Sequence, residues 1–490
     1  MITSRSGGIN QVRFLTESDM QKIHEQSLFL LEKTGIGIEH KAGMELLEKG
    51  GAHVDYDKHT ARFPAALVER CLAAVPRKIT LAGRNPERDL VLEPGGTMCT
   101  RNTGGMTQIH DLETGEIRES VLSDTADFAR LLDGLDNIDF IAPLYAADVP
   151  LEILELQVLE TMMCNTDKHI NIRALDKRTF PYLIKMAEIV AGSKDALKKR
   201  PVISILEAPI SPLVFPDVFV ESLLLGGEAG IPIEICSMPN VGGTGPITLA
   251  GSLLLSAVEH LATIVISQTA CPGAPLIWAS RFPALDMKSG NTGMLTEGAM
   301  VSAAAAQLAT EHYNLICDLH GPATNAVNPE GESVFEECIG AFVTGFAGRP
   351  AVLCGAGGME LGIATSFEQL VISNEIFAVI RRIVDGFVVD DDTLAKDVIA
   401  QVGIGGNYLG EQHTIDHLRS ERLNSDLLKP KTRAKWREEG SRGLVDLARE
   451  KARTILAEHQ PAPMDAATLA SLKKLVQTAQ TEFNALGQRL

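Results

Sequence analysis

From about residue 97 onward, short apolar or β-branched runs alternate with longer segments of helical periodicity. The strand candidates are MCTRN near 98, IDFIAPL near 138, HINIRAL near 169 and VISILEA near 202, followed by PIEICSM near 232, PLIWAS near 275, LICDLH near 315 and AVLCGA near 351. Each precedes a helix-like segment, from VLSDTADFARLLDGL after the first to SFEQLVISNEIFAVIRRI after the last. That pattern predicts roughly eight strand–helix units, the count of a (β/α)8 TIM barrel of the α/β class. A doubly wound open sheet is the alternative, because periodicity does not give strand order.

The flanks have a different texture. Thr16-x-x-Asp19 has the form of a capping box opening a helix whose apolar residues Met20, Ile23, Leu30 and Leu31 share a face, with Gly35 able to close it. A second helix is expected near 42–49 and a third in PAALVERCLAAVP. Short alternating pieces KITLAGR and RDLVLEP come next, then a hairpin in TQIHDLETGEIRES around Thr114 and Gly115. The predicted organisation is a small mixed N-terminal appendage over 1–96, a barrel over 97–385 and a charged helical extension over 386–490 serving as a cap or subunit contact.

Composition narrows the class. The chain has 490 residues, 45% hydrophobic and 22% charged, with a formal net charge of −18. Such an acidic surface argues against nucleic acid. The opening MITSRSGGINQVRF lacks an apolar core, so no signal peptide is expected. The weakly charged stretch 241–280 is broken by Glu259, His260 and prolines, which predicts a buried helix and strand rather than a membrane span. Eight cysteines without a C-x-x-C pair predict reduced core thiols in a cytoplasmic protein.

In a barrel, functional side chains stand at the C-terminal ends of the strands. Arg101 and Asn102 end the first run, Tyr145 follows the second, Arg173 ends the third and Glu207 the fourth. Met238, Pro239 and Asn240 follow the fifth. Trp278 and Arg281 end the sixth; Asp318, His320 and Gly321 end the seventh; Gly355, Gly357 and Met359 follow the eighth. Trp278, one of two tryptophans, could face a cation, or could simply pack under a loop. Arg101, Arg173 and Arg281 could grip a carboxylate through paired N–H donors, or serve as structural ion pairs. The loop PNVGGTGPITLAG, with Asn240, Gly242, Gly243 and Gly245, joins strand to helix at the expected mouth.

Other motifs are weaker. GAGGME over 355–360 fails the dinucleotide fingerprint because Glu360 replaces its last glycine, and no phosphate-binding P-loop occurs. His413 and His417 have the i, i+4 spacing of two metal ligands, but the sequence HTIDH lacks the glutamate of a metalloprotease, and no metal is expected. Cys236, Cys317 and Cys354 lie on predicted strands with no nucleophile signature around them.

The ordered motifs PNVGGTGPITLAGSLLLSAVEHLA, PGAPLIWAS, MKSG, AAAAQLATEHYNL, FEQLVISNEIFAVIRRIVDG and VDDDTLAKDVIAQVGIGGNYLGEQHT resemble the trimethylamine methyltransferase superfamily over nearly the whole chain. The resemblance implies a TIM barrel that moves a methyl group from an amine to the Co(I) centre of a separate corrinoid (cobalamin) protein, with no tightly bound cofactor of its own. Trimethylamine enzymes carry pyrrolysine after the seventh strand. Here that segment reads HGPATNAVNPEG, with Gly321 or a neighbour at the position, so His320, Gly321 and Asp318 are the residues placed at the reacting centre. The chain is thus similar to the non-pyrrolysine branch. Its implied substrate is a quaternary amine, glycine betaine first, giving dimethylglycine. Longer betaines such as proline betaine, carnitine or butyrobetaine, or a non-catalytic betaine-binding barrel, are the alternatives. A homo-oligomer and a cognate corrinoid protein are the expected partners, and no nucleic acid or membrane.

Overall fold

The computed structural model describes residues 12–294, 296–425 and 427–487. The eight predicted runs become the eight strands of a closed parallel barrel: β1 (Cys99–Asn102), β2 (residues 140–141), β3 (Ile170–Arg173), β4 (Ile203–Glu207), β5 (Ile233–Ser237), β6 (Leu276–Ser280), β7 (Cys317–His320) and β8 (Val352–Ala356). Seven of them form one sheet in the order β1-β8-β7-β6-β5-β4-β3. β2 closes the ring through single bridges, Phe140 beside Arg101 and Ile141 beside Ile170. The open-sheet alternative is thereby removed.

Eight helices follow the strands in turn: α1 (Leu122–Asp133), α2 (Leu154–Asn165), α3 (Phe180–Ala191), α4 (Asp217–Ala229), α5 (Leu249–Ala270), α6 (Thr296–Gln307), α7 (Gly331–Gly345) and α8 (Phe367–Asp385). Strands covered on both faces read as continuous apolar runs. All five residues of β5 and of β6 are buried. Helix α5 is apolar around most of its circumference, so it needs cover on two sides. The sheet covers one side, and the N-terminal helices Glu17–Lys33 and Ala65–Ala74 pack on the other. By length and composition α5 could cross a membrane, yet 72% of its most apolar window is buried inside the protein.

The predicted capping box forms at Thr16. Its hydroxyl accepts from the Asp19 amide at 3.2 Å, and the Asp19 carboxylate accepts from the Thr16 amide at 2.9 Å. The pieces KITLAGR and RDLVLEP pair as an antiparallel hairpin, Ile79–Leu81 against Leu90–Leu92. Ile79, Leu81 and Leu92 pack with Cys99, Phe140, Ile277 and Val352, so this hairpin plugs the N-terminal end of the barrel. The second predicted hairpin pairs Gln108–His110 with Ile117–Glu119.

The C-terminal extension divides in two. Helix Leu444–Glu458 lies along α8, tied by Arg449 to Glu368 at 2.8 Å, and His459 reaches Asp133 of α1 at 2.7 Å. Helix Ala466–Gly487 packs against α2 and α3. Between α8 and helix Leu444–Glu458, which straps across it, residues 387–425 and 427–428 form an arm whose two helices, Lys396–Val402 and Gln412–Glu421, bury none of their residues.

Glu337 of α7 is fully buried against α8, accepting from Ser373 at 2.7 Å. Burial pushes its carboxyl up to about 8, with the Ser373 and Gln369 hydrogen bonds opposing. A raised folded pKa means the stability is complete below the ordinary 4.5 and falls as pH rises toward 8, because the unfolded chain ionises first. Glu337→Gln should therefore raise stability by on the order of 1–3 kcal/mol at pH 8 and change little at pH 4.5. Denaturant midpoints across that range check the slope.

Candidate active site

A single guanidinium organises the barrel interior. Arg101 of β1 donates through Nε to Asp318 of β7 at 3.0 Å and through a terminal nitrogen to Glu234 of β5 at 2.6 Å. All three side chains are 1% exposed. Burial works against the charge on Arg101, but Asp318 and Glu234 outweigh it and hold its pKa well above the usual value. Glu234 also accepts from Asn171 of β3 at 3.2 Å, and Asn171 donates to Ser204 of β4 at 3.0 Å. The layer rests on the plug below: Phe140, part of that apolar cluster, lies 5.9 Å under the guanidinium.

Above this layer stand Arg281, His320 and Cys354. His320 pairs in register with Cys354, and Cys354 with Arg101, so these side chains share the inner face. Arg281 follows β6 and reaches Glu234 and the Cys354 sulfur, each at 3.4 Å. Burial, then the charges of Arg281 and Arg101, holds His320 well below the ordinary imidazole value, so it is neutral at pH 7. Three buried polar atoms here have no hydrogen-bond partner: Arg281 Nε, His320 Nδ1 and Asp318 Oδ1. Buried donors and acceptors are normally paired, and a set of unpaired ones facing a mouth is where a ligand's polar groups fit.

Several sequence-predicted residues lie elsewhere. Trp278 does not face the mouth. It sits on the outer face of β6, 2% exposed, stacked on His260 of α5 with ring centres 3.9 Å apart, its indole N–H donating to Ser280 at 3.0 Å. Asn102 is buried and stitches β1 to β2, donating to the Ala142 carbonyl at 2.9 Å and accepting from the Ala142 amide at 2.8 Å. Tyr145 is buried with its hydroxyl on the Arg173 carbonyl at 3.4 Å. Glu207 turns toward α4, where Ser222 hydrogen-bonds it, and burial pushes its carboxyl up to about 8. Gly321 is packed against the helix shell: a Cβ there would stand 2.4 Å from Leu353 and 2.6 Å from Thr344, so any side chain at this position points outward, away from the barrel interior. Met359 is fully buried beside Ala326 and Ala364.

Arg173 is exposed at the end of β3, on the same face as Asn171. In the glycine-rich loop, the Asn240 carbonyl accepts from the Gly243 and Gly245 amides, each at 2.9 Å, and the Asn240 side chain donates to Thr292 at 2.8 Å. Gly242 has φ +84°, where a side chain would be strained. Gly355 at φ +132° leaves no room for a Cβ beside the Pro322 carbonyl, and Gly357 none beside Leu370. Loop and glycines together fix the backbone after β5 and β8.

Buried thiols do not supply a nucleophile. Burial pushes Cys236 up to about 11 and holds Cys317 and Cys354 well above the usual thiol range. His413 and His417 lie on the arm rather than the barrel, with His417 3.4 Å from Asp392 and all three ligand atoms within 4.8 Å. Such a group has the donor types for a divalent ion, but it is no part of the barrel mouth. Glu234 was missed by the sequence reading. Its signal is a lone charge inside the apolar run IPIEICSM, which demands a buried partner.

Residues 3–484 match the family Trimethylamine methyltransferase (MTTB). The chain is 34% identical to trimethylamine methyltransferase MttB of Desulfitobacterium hafniense, over 96% of this chain and 94% of that one. It is 30% identical to glycine betaine methyltransferase of Desulfitobacterium hafniense, over 94% and 96% respectively. In structure it is similar to the monomethylamine methyltransferase MtmB of Methanosarcina barkeri, with a TM-score of 0.51 and 12% identity over 90% of this chain and 88% of that one. The chain belongs to the trimethylamine methyltransferase family, and is a methyltransferase with its family's barrel.

Removing one member of the ionic layer strands the others. Arg101→Met leaves Asp318 buried without its cation and Glu234 with only Arg281 at 3.4 Å, and should destabilise the fold by about 3–5 kcal/mol. Trp278→Phe keeps most of the stack and loses one hydrogen bond, for a loss of about 1–2 kcal/mol with unchanged substrate KM. Equilibrium unfolding with a parallel KM measurement checks both. A large KM rise in Trp278→Phe would return the indole to the binding site.

Proposed function

We propose that this chain demethylates a quaternary amine bearing a carboxylate, glycine betaine first, passing the methyl group to the Co(I) of a cognate corrinoid protein and leaving dimethylglycine. The observation that carries this reading is that Arg281 Nε, His320 Nδ1 and Asp318 Oδ1, three buried polar atoms on the inner face, have no hydrogen-bond partner. A betaine is a compact zwitterion. Its carboxylate meets Arg281 and, through His320, a neutral imidazole; its cationic end meets the field of Asp318. Trimethylamine has no carboxylate and would leave the Arg281 donor unpaired.

The chemistry asks little acid–base work of the protein. The N–CH3 bond breaks with its electron pair staying on nitrogen, so the leaving group is a neutral tertiary amine and needs no proton. What the residues supply is alignment and exclusion of water. The cation loses charge as the bond breaks, so a strong anionic cage would hold the ground state more tightly than the transition state. Arg101 on Asp318 tempers that field. The methyl acceptor approaches from the mouth, where the loops after β3, β4, β5, β6 and β8 expose Leu175, Ile210, Met238, Met287 and Ile363. An apolar rim around a polar pit is suited to docking a partner protein.

The test is purified protein with reduced corrinoid protein and glycine betaine. The expected result is the absorbance change of cobalt methylation together with dimethylglycine release. Arg281→Met should lower kcat/KM for glycine betaine about 10- to 100-fold. The pH profile should show no inflection near 6.5 from His320, which is already neutral there. Methylation only with a longer betaine would move the substrate, methylation with trimethylamine alone would favour the reaction named for the relative at 34% identity, and tight betaine binding without methylation would make this a binding protein.

A further inference from the structure

The arm after α8 carries a group of side chains that the barrel chemistry leaves unused. Its helix Gln412–Glu421 places His413 and His417 one turn apart on a single face, with ring centres 4.2 Å apart and planes inclined at 39°. Asp392, from the turn before the arm's first helix, comes to the same point. His417 Nε2 stands 3.4 Å from Asp392 Oδ2, and His413 Nε2 stands 3.2 Å from the Asp392 carbonyl oxygen. One nitrogen of each imidazole and one Asp392 carboxylate oxygen all lie within 4.8 Å of one another.

Both elements are locally fixed. The Thr393 amide donates to Asp390 Oδ1 at 2.8 Å, and the Thr393 hydroxyl accepts from the Asp390 amide at 3.0 Å. The Leu394 and Ala395 amides close on the Asp390 and Asp392 carbonyls, each at 3.0 Å. On the other side, the Thr414 hydroxyl donates to the Tyr408 carbonyl at 2.7 Å and anchors the start of the helix. Yet neither arm helix buries a residue. Helices this short without tertiary cover are marginal in water, so something other than an apolar core has to join turn to helix.

Distance separates a hydrogen-bonded cluster from an ion site. A charge-assisted bond between imidazole and carboxylate draws its atoms to about 2.7–2.9 Å. Two ligands each about 2.1 Å from a tetrahedral ion stand roughly 3.4 Å apart, which is the separation of His417 Nε2 and Asp392 Oδ2. Two imidazole nitrogens and one carboxylate oxygen suit Zn2+, whereas Ca2+ and Mg2+ take oxygen ligands. Asp390, Asp391 and Asp392 in succession add a negative potential that favours a cation. The Asp392 side chain is 75% exposed, so an ion has access from solvent and can keep water as its fourth ligand.

We propose that His413, His417 and Asp392 form a structural Zn2+ site that clips the 390–395 turn to the helix Gln412–Glu421. The motif HTIDH supplies two of the ligands, and folding brings the third. The site lies on the arm and takes no part in methyl transfer.

The test is the full chain, stripped with chelator and dialysed against Zn2+ at about 10 μM, ten times an ordinary micromolar dissociation constant. It should hold one more Zn2+ per chain than the double variant His413→Gln with His417→Gln. Loss of an outer-shell partner alone costs roughly 10- to 100-fold in affinity, so removing two ligands should cost more than about 100-fold and Asp392→Asn at least about 10-fold. His53→Gln, at an exposed histidine of the N-terminal appendage, should leave binding unchanged. Zn2+ should slow tryptic cleavage after Lys396 and Arg419 about tenfold in the wild type, by depopulating the open arm, and not in the double variant. Equal Zn2+ content in wild type and double variant would overturn the proposal. So would one ion per two chains, displacement of Zn2+ by equimolar Ca2+ or Mg2+, or bound Zn2+ that leaves the cleavage rate unchanged.

Discussion

The barrel turns on one buried cation. Arg101 holds Asp318 and Glu234 across the interior, and thereby fixes β1, β5 and β7 relative to one another. Three charges taken out of water are expensive, and their mutual attraction offsets that only with good geometry and further hydrogen bonds. The second Glu234 oxygen is satisfied by Asn171. On Asp318 one oxygen is satisfied and the other is not. The unsatisfied oxygen is a polar group left over inside the barrel. The spare oxygen lies in the barrel interior, on the inner face it shares with His320 and Arg281, so the same network that sets the strands also sets the polarity of the site.

The apolar plug below and the ionic layer above are mutually dependent. The hairpin Ile79–Leu81 with Leu90–Leu92 closes the lower end and keeps water from the guanidinium, and Phe140 presents its ring to it. Low local polarity strengthens each charge–charge contact and makes each unpaired group more costly. It also keeps the thiols protonated and His320 neutral, while burial, opposed by Arg101, pushes the Glu234 carboxyl up to about 7. What is left is a rigid, partly satisfied polar pit. Such a pit suits a reaction governed by positioning better than one needing a proton shuttle.

Much of this was legible in the chain. All eight strands were readable because strands buried on both faces give dense apolar runs, and the helices between them have a different period. Which way each strand-end residue faces was not, since alternation is lost where both faces are apolar. Trp278 shows the difficulty and its remedy. Trp278 and Arg281 are three residues apart, so in extended chain they occupy opposite faces, and both cannot line the mouth. Arg281 is inward with Glu234 and Cys354, so the indole must turn toward α5, where His260 receives it. Asn102 and Glu207 miss the cavity for the same reason, lying one step out of phase with Arg101 and Leu206. Gly321 was invisible in a different way: its role depends on Leu353 and Thr344 from two other elements.

The same reasoning separates the parts of the C-terminal extension, which the sequence presents as one charged helical region. Helix Leu444–Glu458 fully buries Ala448 and Ala452 against the barrel, and its ion pairs reach Glu368 and Asp133 through Arg449 and His459. It has a partner within the chain. The arm is also charged but places Phe387, Val389, Ile404 and Leu409 toward solvent. Periodicity alone does not distinguish them, since both are amphipathic. What distinguishes them is whether the apolar stripe finds a complementary surface on its own molecule. The strap does, on α8; the arm leaves beside a groove on α7 and α8 that matches its character but lies open.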